Sequence, residues 1–155
     1  MTAKEYLLSG RQLDVRIRLD LKQIENLREL STSVSGSGFE QSFNPNHKTE
    51  APFEKCISEI AEMEEKIRTE VRELIEVKNR MISTIRMLSD VDCQSVLELR
   101  YINYMSWEDI ADEMHYSLRW IYSLHGRALA ELDAILEEKP DIAEEVLKKS
   151  AVKFT

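Results

Sequence analysis

Glycine and proline are scarce in this chain, 4 and 3 among 155 residues. Few breakers leave long uninterrupted segments, which favours helix. Cysteine is scarcer still. Cys56 and Cys93 lie far apart, with no CxxC and no Cys/His cluster, which excludes a zinc site of ordinary spacing. Two idle or buried thiols suit a reduced, cytoplasmic setting. The histidines, His47, His115 and His125, are scattered as well. P-loop, GxGxxG, GxSxG and HExxH patterns are all missing. A binding protein is expected rather than an enzyme, with no metal and no cofactor. No apolar run approaches the roughly 18–20 residues that span a bilayer, so no membrane helix is expected. The opening MTAKEYLLSGRQLD has no long apolar stretch of the kind a signal peptide needs.

Hydrophobic residues make up 43% and charged residues 32% of the chain. The first suffices for a core, and the length suits one domain or a small domain with an extension. Acids outnumber bases, 29 to 21, for a net charge of -8.

Residues 3–30 read as one helix, since Leu13, Ile17, Leu21, Ile24 and Leu27 recur every three or four positions. Arg11, Arg16, Lys22 and Arg28 alternate with Asp14, Asp20, Glu25 and Glu29 on a solvated face. Gly10 weakens its start by roughly 1 kcal/mol relative to Ala. Residues 31–52 are rich in Ser, Gly, Asn and Pro and read as a flexible loop, with Phe39 and Phe43 free to dock on the hairpin, on a partner, or nowhere. Residues 53–88 read as a second helix with a heptad seam: Ile57, Ile60, Ile67, Val71, Leu74, Met81, Ile85 and Leu88, interrupted by Glu64 and Lys78. Its stripe needs a partner. Residues 3–30 packed antiparallel are one candidate, and a homodimer is the competitor.

A compact end follows. Ser89 or Asp90 can cap a helix through Asn103, with Cys93, Val96, Leu97, the Arg100 stem and Tyr101 inward. Ser106-Trp107-Glu108-Asp109 resembles a capping box opening a helix to Met114. His115 and Tyr116 form a turn, and Ser117 caps a helix to about Leu136. Pro140 stops any continuation, and residues 141–150 can form a short amphipathic tail through Ile142, Val146 and Leu147. The fold class is therefore all-α. It comprises a long antiparallel, coiled-coil-like hairpin (1–88), a helix-turn-helix (89–136) and a tail (137–155).

The functional expectation rests on the last long helix. Ile121, Leu124, Ala128 and Leu132 share one face, while Arg119, Ser123, Gly126 and Ala130 occupy the other, flanked by Trp120, Tyr122 and Arg127. A polar and small-residue face suits the major groove, where Arg pairs with guanine and Ser contacts either base type. Residues 117–130 hold Arg119 and Arg127 and no acid; residues 77–88 hold Lys78, Arg80 and Arg86 and no acid. The DNA-facing set is thus Ser117, Arg119, Trp120, Tyr122, Ser123 and Arg127, with Lys78, Arg80 and Arg86 as further phosphate contacts. Trp107 and His125 read as packing residues. Arg100 pairs with Glu98 or the acidic helix, or contacts phosphate.

The stretch LELRYINYMSWEDIADEMHYSLRWIYSLHGRALAEL resembles region 4 of sigma-70-type RNA polymerase sigma factors. The resemblance rests on Leu97 to Tyr101, Ser106 with Glu108 to Ala111, then Ser117, Ile121, Arg127 to Leu129 and Leu132. The whole arrangement is similar to a family of small phage and prophage proteins of Gram-positive bacteria. This implies a sigma region 4-like helix-turn-helix, double-stranded DNA as ligand and RNA polymerase as partner. Region 4 usually carries Gly in the turn, where this chain has His115. The aromatic, basic helix of region 2 that melts promoter DNA is not visible, which excludes a complete housekeeping-type sigma factor.

Two rival expectations stand beside it. Glu108, Asp109, Asp112 and Glu113 would repel phosphate unless they point away or meet a basic protein, so the chain could bind polymerase through a region 4 mimic without touching DNA. A small-terminase-like packaging adaptor would share the layout of helix-turn-helix plus helical oligomerisation.

Overall fold

The computed structural model describes residues 1–37 and 52–151. Among the described residues every regular element is helical: α1 (Ala3–Ser37), α2 (Pro52–Ile85), α3 (Val91–Leu97) running into a π-helical turn (Glu98–Ile102), α4 (Trp107–Met114), α5 (Leu118–Glu138) and α6 (Pro140–Ala151). The protein is all-α. No helix among the described residues is long and apolar enough to cross a membrane.

Two compact units make up the chain, Met1–Asp14 with Glu73–Thr155, and Val15–Arg72. The boundary therefore falls inside both long helices rather than at residue 88.

In the Val15–Arg72 unit, Ile17 and Ile24 of α1 and Ile67 of α2 are buried. Arg28 pairs with Glu64 across the helices. The exposed Lys66 lies 4.0 Å from Asp20 and 3.8 Å from Glu70, whose carboxylates are both buried. Two expectations are corrected here. Leu21 and Ile57 are exposed, and Asp20 and Glu70 take seam positions expected for Leu21 and Val71. The buried run Leu13, Ile17, Asp20, Ile24 follows spacings of four, three and four, which leaves Leu21 about 100° round the helix from Asp20. A reading that admits only apolar residues to a seam selects the neighbouring leucine.

Helix α1 also continues to Ser37, into the segment expected as loop from residue 31. Ser31 and Thr32 turn their hydroxyls back onto the Arg28 carbonyl, at 3.0 and 2.7 Å. Their polar groups are thereby satisfied within the helix instead of ending it. The remainder of the expected loop, residues 38–51 with Phe39 and Phe43, lies outside the described residues.

The other unit holds the larger core. Tyr6, Leu7 and Leu13 of α1 and Val77, Met81 and Ile85 of α2 are buried, as are Val96 and Leu97, Ile110, and Ile121, Leu124, Ala128 and Leu132. Gly10 permits close approach: a Cβ there would lie 3.0 Å from Met81 Sδ and 3.8 Å from Val77 Cγ1. Tyr6 Oη and Thr84 Oγ1 share a buried hydrogen bond of 3.0 Å. Asp133 of α5 accepts from the Ala3 N–H at 2.6 Å. Proline opens α6, as its fixed φ and missing N–H suit a first turn. Ala143 and Val146 are buried, and Glu145 and Lys149 pair with Arg80 and Glu76 of α2. The segment expected as a tail is thus integral to this unit.

Candidate nucleic-acid interface

Local sequence fixes the α4–turn–α5 geometry at three points. Ser106 caps α4, its Oγ accepting from the Asp109 N–H at 3.2 Å. At the other end His115 takes the left-handed conformation, φ 57 and ψ 39. The His115 N–H then reaches the Asp112 carbonyl and the Tyr116 N–H the Ala111 carbonyl at 3.1 Å, which is a Schellman closure. Ser117 caps α5 in turn, accepting from the Trp120 N–H at 3.2 Å. Tyr116 Oη donates to Asp92 at 2.7 Å and ties the turn to α3.

Helix α5 buries the expected face. Ile121, Leu124, Ala128 and Leu132 are covered, and Ala111 of α4 is buried. Arg119, Ser123, Gly126 and Ala130 are exposed together on the far side. Trp120 and Tyr122 flank that face with 42% and 47% of their surface open. A Cβ on Gly126 would meet nothing within 4 Å, so no internal packing requires glycine there.

One flank is braced by an aromatic cluster. Tyr122 lies against Trp107 at 5.3 Å between ring centroids, and Trp107 meets His125 edge-on at 4.6 Å. Arg100 is stacked over Trp107 at 4.4 Å and donates to the Met105 carbonyl at 3.0 Å. Among the described residues Glu98 pairs with Arg86 and not with Arg100, whose planar cation covers an indole face. His125 Nε2 and Tyr101 Oη are hydrogen bonded at 2.7 Å. Burial first, then the charges of Lys4 and Arg100, hold the His125 pKa down to about 4. It is a neutral packing histidine near pH 7.

The other flank is electrostatic. Arg127 lies 3.6 Å from Asp90, the residue that caps α3. The sequence offered Ser89 or Asp90 as a cap and put Arg127 on the DNA face, but did not link Asp90 to Arg127. No local signal links residues so far apart along the chain.

The expected basic residues have different surroundings. Ser117 caps α5, and Arg119, Trp120, Tyr122, Ser123 and Arg127 lie in its first half. Lys78 sits over the Tyr104 ring at 4.7 Å, Arg80 pairs with Glu145, and Arg86 pairs with Glu98 at 3.2 Å. Among the described residues no hydrogen bond or ion pair joins these three to the α5 set. Glu108, Asp109, Asp112 and Glu113 of α4 are all exposed. No group of three or more His, Cys, Asp or Glu among the described residues could hold a metal ion.

A family model described as a protein of unknown function, DUF1492, matches residues 53–133, from the start of α2 into α5. No curated protein and no solved structure matches the chain.

Proposed function

The chain belongs to the DUF1492 family, and we propose that it is a DNA-binding transcriptional regulator of phage type, similar to sigma region 4 and acting with RNA polymerase. The observation that carries this reading is the exposed first half of α5. Arg119 and Ser123 are open to solvent on a helix whose opposite face is buried and whose first turn is capped. No acid lies between Ser117 and Ala130. Such a helix can lie in a major groove with Arg119 toward a guanine edge and Ser123 beside it. Trp120, Tyr122 and Arg127 would then face the sugar-phosphate walls.

With so few cations on the face, a single copy binds weakly and loses affinity steeply with salt. A second copy or polymerase supplies the remaining affinity. The carboxylates of α4 favour a partner for the other side: four exposed acids on one short helix suit a basic protein surface.

The test is selection of duplexes from a random pool at low salt, followed by anisotropy titrations of the selected sites. Arg119→Ala is expected to lose roughly 1–3 kcal/mol and to relax preference at one position. Equal binding by Arg119→Ala across the site panel rejects that role. No retained duplex, together with capture of polymerase, transfers the proposal to a docking module that works through α4.

A further inference from the structure

Arg127 is the only cation of the α5 set with a partner on another element among the described residues, and that partner is Asp90. The two side chains are 57% and 37% exposed, so the pair sits at the edge of the candidate face. Asp90 has a second task. Its Oδ1 accepts from the Asp92 N–H at 2.8 Å and caps α3. The cap fixes the carboxylate in place, where a surface acid on a free side chain would move away. Asp92 is held as well, by Tyr116 Oη. The N-cap of α3 therefore sets one carboxylate, engaged by a backbone N–H, beside Arg127.

We infer that Asp90 is an internal stand-in for phosphate, which Arg127 must leave when the chain engages a DNA backbone. This deepens the function proposed above and rests on it. Asp90 holds Arg127 as a partly exposed ion pair at 3.6 Å, and a phosphate oxygen attracts the same guanidinium at closer range. A backbone contact by Arg127 therefore replaces one partner by another instead of adding one. The exchange lowers affinity for every duplex equally, because phosphate contacts carry no sequence information. Base contacts by Arg119 are untouched, so the ratio of specific to non-specific occupancy is left to them. On a chain with few cations on its DNA face, this restrains binding to random sequence.

Asp90→Asn tests this cleanly, because Asn caps a helix as well as Asp does and the fold of α3 is retained. Non-specific and specific duplexes are expected to bind roughly three- to tenfold tighter at low salt, with a salt slope steeper by about one counterion. Asp141→Asn, which removes the same charge at the exposed start of α6, controls for net charge and is expected to do much less. In an Arg127→Ala background the Asp90→Asn gain is expected to vanish. A gain of equal size in that background would overturn the inference, since Asp90 would then repel DNA directly. Equal affinity of wild type and Asp90→Asn would overturn it too, while leaving the DNA-binding reading intact. Should neither protein bind any duplex, both readings fall together.

Discussion

His115 offers the sharpest test of the local physics. Its φ of 57 and ψ of 39 place a side-chain-bearing residue in the left-handed region. A Cβ there meets its own following carbonyl, at about 1 kcal/mol for a tolerant residue such as His. Glycine removes that clash but gains freedom in the unfolded chain, which returns about 0.5 kcal/mol. His115→Gly is therefore expected to stabilise by about 0.5 kcal/mol. For a chain of this size that corresponds to a Tm rise of roughly 1–2 °C. His115→Val adds a β-branched side chain at the same backbone and is expected to lose about 1–2 kcal/mol. Urea unfolding followed by tryptophan fluorescence is a suitable assay. Trp107 opens α4 and Trp120 lies in the first turn of α5, so both indoles report on the elements this turn joins. A His115→Gly midpoint at or below wild type, with His115→Val unchanged, would refute the reasoning. The turn would then not adopt the left-handed closure in solution.

Two glycines give opposite expectations under one substitution. Gly126→Ala places a Cβ in open space and should stabilise by about 1 kcal/mol through helix propensity. Gly10→Ala sets a Cβ 3.0 Å from Met81 Sδ, so the same propensity gain should be cancelled or reversed; parallel thermal melts check both. Acid titration tests His125. Its folded pKa of about 4 lies below the ordinary unfolded value near 6.5, so the unfolded state takes up the proton first as pH falls. The contribution is full above about pH 6.5 and declines toward pH 4, by on the order of 3 kcal/mol. His125→Gln should flatten that part of the stability profile, and an unchanged slope would show the ring to be solvated.

Much of the compact end was legible because its signals are local. Ser106 and Ser117 cap the helices expected of them, and of the two candidates Ser89 and Asp90 it is Asp90 that caps α3, each with a side-chain oxygen near orphan N–H groups. Helical period alone put Ile121, Leu124, Ala128 and Leu132 on one side, and all four are buried. The long helices were less legible. Leu21 and Ile57 fit an apolar period yet face solvent, while Asp20 and Glu70 are buried near Lys66. Pattern reading assumes that charge is excluded from a seam. Here two carboxylates are buried within 4.0 Å of an exposed lysine, a proximity that depends on both helices at once.

What the sequence determined by itself was the helical class, the helix-capping points and the outward face of α5, because each follows from interactions spanning a turn or two. Tertiary structure decided which charges are spoken for. Arg127 against Asp90, Arg80 against Glu145 and Arg100 over Trp107 all join different elements. A formal charge is read from one letter, but its freedom to meet a ligand depends on which opposite charge or ring folding brings beside it.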